Sequence, residues 1–127
     1  MATWLGQYCI NVTDLDRTVG FYEALGLTCT SRTEIPDAFE AIVEQEGKGA
    51  KLQLAQQKGR TGPIDMGTAF WKLYVNTDDL ATTYQQALDH GAVSVSPPER
   101  LDRWPVSIAF VTDPDGYLVE IVQRDPV

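Results

Sequence analysis

Polar and apolar residues alternate at the start of the chain, with Tyr8, Ile10 and Val12 on one side of an extended segment, and Leu73 and Val75 repeat the pattern further on. Each short strand leads to an aspartate in position to cap a helix, Asp14 and Asp79. The apolar period then changes. Leu15, Val19, Tyr22 and Leu25 are spaced for one face of a first helix that stops at Gly26; Leu80, Tyr84 and Leu88 mark a second that stops at His90-Gly91. Gly20 inside the first helix costs about 1 kcal/mol relative to alanine. Strand-like stretches follow at Leu27 to Thr33, Phe39 to Gln45 and Ala50 to Gln56, with a turn at Glu46-Gly47-Lys48-Gly49. In the second half, Val93 and Val95, then Val106 to Thr112, then Tyr117 to Gln123 read as strands. Asp113-Pro114-Asp115-Gly116 is a turn with proline in its favoured second position.

These echoes amount to an internal repeat. Laying Gln7 to Cys29 on Lys72 to Ser94 without gaps matches Asn11 with Asn76, Asp14 with Asp79, Leu15 with Leu80, Thr18 with Thr83 and Gly26 with Gly91. The predicted fold class is α+β, built from two tandem βαβββ units within one domain spanning 1–127. Unit one covers about 5–57, a glycine- and proline-bearing linker 58–67, and unit two about 68–124.

The composition narrows the function classes. Ten Lys and Arg against 18 Asp and Glu leave a formal net charge of -8, a field that repels phosphate backbones, so no nucleic-acid partner is expected. No run reaches the roughly 18 apolar residues of a membrane span. The opening MATWLGQYCINV lacks the features of a secretion signal, so a cytoplasmic protein without membrane partners is expected. The two cysteines, Cys9 and Cys29, are expected to be reduced thiols packed in strands.

The run Ile108-Ala109-Phe110-Val111-Thr112-Asp113-Pro114-Asp115-Gly116-Tyr117-Leu118-Val119-Glu120-Ile121 resembles the closing hairpin of glyoxalase I. Val12-Thr13-Asp14-Leu15 through Phe21-Tyr22-Glu23-Ala24-Leu25-Gly26-Leu27 resembles its opening, and Gly67-Thr68-Ala69-Phe70 the approach to its second unit. The combination identifies the chain as similar to the vicinal oxygen chelate superfamily, which includes glyoxalase I, the bleomycin resistance proteins and the extradiol dioxygenases. The resemblance implies two curled sheets facing each other across a cleft, with four metal-ligand positions from the first and last strands of each unit. Carried over by position, these are Gln7, Gln53, Lys72 and Glu120. The repeat agrees, since Gln7 aligns with Lys72 and Leu52-Gln53-Leu54 with Val119-Glu120-Ile121. All four are expected to converge on one cleft.

Glyoxalase chemistry needs a divalent ion to polarise adjacent oxygens and a carboxylate to move a proton. Gln7, Gln53 and Glu120 are the expected metal donors, but Lys72 stands at the usual histidine position and its ammonium repels a cation. His90, the sole histidine, suits a helix C-terminus. No cofactor is therefore expected, with a divalent metal as the alternative, and Lys72 is expected to pair with Glu120. The resemblance puts an arginine for a glutathione carboxylate at Asn11 and a later asparagine at Gln57, so glutathione recognition looks altered. Trp4, Phe39, Phe70, Tyr74, Trp104 and Phe110 lie on or near cleft strands or on the stretch Pro97 to Pro105, read as a loop able to act as a lid. Trp71, alternating with Lys72, is expected to face the helices.

The expected ligand-binding set is Gln7, Asn11, Phe39, Gln53, Phe70, Lys72, Tyr74, Trp104 and Glu120. The first functional expectation is a small-molecule-binding protein that holds a partly apolar or aromatic ligand, for sequestration or resistance. The alternative is a glyoxalase I-like lyase or isomerase, metal-dependent or using Lys72 and Glu120 as catalytic residues. Half-open sheets are expected to pair into a homodimer.

Overall fold

Asp14 and Asp79 act as the caps their positions promise. Each side chain accepts a hydrogen bond from the amide three residues on, Arg17 and Thr82 respectively, both at 3.1 Å. Behind each cap runs a ten-residue helix, and after each a glycine, Gly26 or Gly91, takes a φ of +110° or +104° that lets the chain turn into the next strand.

The computed structural model describes residues 1–126 and divides into two compact units, Met1–Ile64 and Asp65–Val127. Unit one runs β1 (Gln7–Asn11), α1 (Leu15–Ala24), β2 (Thr28–Ile35), β3 (Ala38–Gln45) and β4 (Lys48–Gln57). Unit two repeats it with β5 (Leu73–Asn76), α2 (Leu80–Asp89), β6 (Val93–Arg100), β7 (Val106–Thr112) and β8 (Leu118–Arg124). The sheets have strand orders β1-β4-β3-β2 and β5-β8-β7-β6. In each, the first and last strands of the unit pair in parallel and the remaining pairs are antiparallel. This is the expected α+β architecture of two βαβββ units.

Each helix covers one face of its own sheet. Val12, Val19, Phe21, Tyr22, Val43 and Leu54 are buried in unit one, and Leu80, Ala87, Ala109, Val111, Val119 and Ile121 in unit two. The β7–β8 turn is held by Asp113, a buried carboxylate whose Oδ1 accepts from the amides of Asp115, Gly116 and Tyr117 at 2.9, 3.1 and 3.0 Å. That turn sets the register by which Phe110 stands opposite Glu120.

Two sequence expectations need correction. The stretch Pro97 to Pro105 is not one loop, because β6 continues through Pro97 and Pro98 to Arg100. A strand at the sheet edge tolerates residues without an N–H donor, and the ladder shifts register between Ser96 and Glu99 to pass them. The cysteines are free but not buried: Cys9 is exposed and Cys29 half-buried. In β1 only Ile10 turns under the helix, and alternation sends Cys9 to the other face.

Candidate functional site

Glu120 lies in the middle of unit two's sheet. Its neighbours Val119 and Ile121 are fully buried and belong to the α2-facing side, so alternation turns the Glu120 side chain to the opposite face. Across the ladders its direct partners are Tyr74 on β5 and Phe110 on β7, which sets the carboxylate in a row between two aromatic rings. Lys72 immediately precedes the first β5–β8 pair.

From there the Lys72 Nζ donates to Glu120 Oε1 at 2.5 Å. The two side chains are only 10% and 11% exposed. Such a pair differs in kind from the solvent-facing Arg32–Asp16 bridge, at 50% and 86% exposure. Exposed bridges contribute about 0–1 kcal/mol, whereas removing one partner of a buried pair strands a charge and costs about 3–5 kcal/mol. The ammonium also lies 3.9 Å from the centroid of Trp71, 4.9 Å from that of Tyr74 and 5.3 Å from that of Phe110. Burial, the largest influence on Lys72, works to lower its pKa, but hydrogen bonding to Glu120 and to Tyr74 together with the Glu120 charge raises it above the ordinary lysine value.

Trp71 therefore does not face the helix. It is 75% exposed and stacks on the Lys72 ammonium, because residues 71 and 72 precede β5 and the alternation rule does not reach them. Phe110 and Trp71 complete the site; adjacency to Lys72 was the one sequence signal for Trp71.

The other candidates are distributed as follows. Gln7, exposed, opens β1 opposite Lys51, and half-buried Gln53 stands on β4 opposite Cys9, both in unit one. Asn11 Oδ1 accepts from Gln57 Nε2 at 2.6 Å, so the two glutathione-related positions hold each other. Phe39 lies under the Lys58 ammonium at 4.8 Å, Phe70 meets Tyr117 edge-on at 6.1 Å, and Trp104 meets Arg103 at 4.7 Å. Each of these rings thus has a partner within its own unit. His90 Nδ1 lies 2.8 Å from the Gln86 carbonyl oxygen at the end of α2.

The Glyoxalase/Bleomycin resistance protein/Dioxygenase superfamily matches this chain over residues 4–121. The chain belongs to that superfamily. Among similar members, a probable lactoylglutathione lyase of Synechocystis sp. is 29% identical over 119 residues, covering 90% of each chain. Another from Vibrio parahaemolyticus is 31% identical over 121 residues, covering 91% of this chain and 86% of the relative. The crystal structure of glyoxalase I from Zea mays superposes with a TM-score of 0.81 at 26% identity, over 96% of this chain and 45% of the maize chain. The chain thus spans just under half of that larger protein.

These relatives correct the cofactor expectation. Glyoxalase chemistry is metal-dependent in the superfamily reading, so kinship with lactoylglutathione lyases overturns the expectation of no cofactor and points to metal use. The donors in unit two do not fit a divalent ion as they are paired: the one carboxylate of the expected set, Glu120, is engaged by an ammonium. No cluster of three or more His, Cys, Asp or Glu suited to a metal occurs among the described residues. Also among the described residues, no helix is long and apolar enough to cross a membrane.

Proposed function

We propose that this superfamily member is a glyoxalase I-like lyase or isomerase acting on a small carbonyl compound. Glu120 is its proton-transferring carboxylate and Lys72 the cation beside it. Kinship with lactoylglutathione lyases favours this reading over sequestration of a ligand. The observation that carries it is the buried Lys72–Glu120 pair at the position the family resemblance assigns to the base. In a hydrogen shift within an α-hydroxy carbonyl group, Glu120 takes the proton from the hydroxyl-bearing carbon, the C–H electron pair becomes a carbon–carbon double bond and the carbonyl π pair moves to its oxygen. Glu120 then returns that proton to the former carbonyl carbon, while the hydroxyl proton passes to the negative oxygen and the hydroxyl-bearing carbon becomes the new carbonyl; the Lys72 ammonium stabilises the negative oxygen between the two steps. We propose separately that Gln7 and Gln53 are substrate- or metal-facing groups of unit one.

The test is turnover of hemithioacetals of methylglyoxal, with and without added nickel, cobalt or zinc. Glu120→Gln should lower kcat by about 10²–10⁴, the usual weight of a positioned acid–base group. Glutathione adducts should show a high KM relative to adducts of uncharged thiols, since Asn11 offers an amide where a guanidinium would fork a carboxylate. Equal turnover by Glu120→Gln would sink the assignment. We also propose that the protein is cytoplasmic and that it forms a homodimer; the dimer is supported by Trp4, Leu5, Tyr8, Val93 and Val95, which are more than half exposed. Sedimentation as a monomer at high micromolar concentration would overturn the dimer.

A further inference from the structure

We infer that Trp71, Tyr74, Phe110 and Glu120 form a binding site for the head group of a small primary alkylammonium ion, with Lys72 as its built-in and displaceable occupant. Three ring faces and one carboxylate surround the ammonium within 5.3 Å, which is the arrangement by which proteins recognise organic cations. The rings attract the cation through their negative faces, and the carboxylate supplies a charge-assisted hydrogen bond.

Two features make the occupant exchangeable. Lys72 lies before the first β5–β8 pair, so its backbone is outside the ladder, and its head is carried on a flexible four-carbon stem. The outer walls are open to solvent, with Trp71 75% and Tyr74 61% exposed, while the carboxylate at the bottom stays covered. A ligand entering past the rings meets the cage without crossing the core. The net charge of -8 draws cations toward the protein and disfavours anions. The tethered lysine competes at an effective concentration on the order of millimolar or above, so the site discriminates against weak cations and opens to those that outcompete its own side chain.

Binding needs no turnover, so this inference stands or falls apart from the lyase reading. Calorimetry with butylammonium chloride, referenced to sodium chloride at equal ionic strength, should show Lys72→Ala binding at least tenfold more tightly than wild type. Glu120→Gln added to Lys72→Ala should remove that gain, and 1-butanol, the uncharged analogue, should not bind. Should Lys72→Ala fail to fold, Lys72→Met retains most of the stem volume and carries the same expectation. In the unaltered protein, butylammonium should shift the Lys72 side-chain NMR resonance saturably as the tethered head is displaced. Affinity in the Lys72 variants no higher than wild type, equal binding of 1-butanol, or a Lys72 resonance unmoved by butylammonium would each overturn the cage.

Discussion

The hydroxyl of Thr83 lies 2.8 Å from that of Thr77 in unit two, whereas the matching Thr18 in unit one is fully buried and its hydroxyl has no partner among the described residues. The cause is one substitution between the repeats: the place of Thr77 is taken in unit one by Val12, which has nothing to offer a hydroxyl. Thr18→Val keeps the shape and removes the orphaned group, so it should stabilise the protein by about 1 kcal/mol, the low end of what an unsatisfied buried hydroxyl costs. Thr83→Val should have the opposite sign. Urea unfolding with unchanged m-values measures both, and a destabilised Thr18→Val would mean that the hydroxyl has a partner.

A second pair of matched contacts joins the ends of each unit. Leu80 N donates to Gln123 Oε1 at 2.7 Å, and Leu15 N donates to Gln56 Oε1 at 2.8 Å. The last strand of each unit thus satisfies an amide at its helix N-terminus that the aspartate cap leaves free. Gln123→Ala and Gln56→Ala should each cost about 1 kcal/mol, the net worth of such a hydrogen bond, and the effects should add because the two contacts share no residue. A loss confined to one of them would break the parallel between the units.

Those glutamines show where sequence reading ends. The aspartate caps, the stop glycines and the Asp113 turn are local, each depending on residues within four positions, and they were legible for that reason. So was Glu120 facing away from the helix, which follows from strand alternation between Val119 and Ile121. Gln123 and Gln56 join residues about 40 positions apart, and nothing local marks them. Trp71 departs from its expected place because alternation governs residues within a strand, and Trp71 precedes β5. The stretch after Ser96 failed because two prolines suggest a loop unless the strand is known to be at an edge, which is a property of the whole sheet.

The Lys72 pair has a defined pH signature. Its pKa in the folded protein is raised above the ordinary value of 10.5, so its contribution to stability is fully present below that value and is lost as pH rises through the folded value. The wild type should therefore lose stability as pH rises above 10.5 more steeply than Lys72→Met, in which the titrating group is gone. The difference between the two denaturation-versus-pH curves is the measurement, because the other lysines and tyrosines are common to both. Parallel curves would show that the ammonium gains nothing from Glu120 on folding.

The position of Lys72 also fixes what should follow from changing it to histidine. In the wild type the Lys72 ammonium sits 2.5 Å from Oε1 of the only carboxylate in the expected donor set, so a divalent ion approaching Glu120 meets its positive charge. Lys72→His exchanges the repulsion for an imidazole nitrogen, a good ligand for nickel, cobalt and zinc, beside a carboxylate oxygen. Affinity for these ions should rise at least tenfold over wild type by calorimetry at neutral pH. Adding Glu120→Gln should erase the gain by removing the anionic donor, while Gln53→Ala in the same background should weaken binding only if unit one contributes a ligand, as the family resemblance implies. If wild type binds as tightly as Lys72→His, the ammonium is not in the way of the metal and the ligand position has been assigned to the wrong residue. If Lys72→His gains nothing, the paired carboxylate is not part of a metal site in either form, and the proton transfer proposed for Glu120 has to be tested without one.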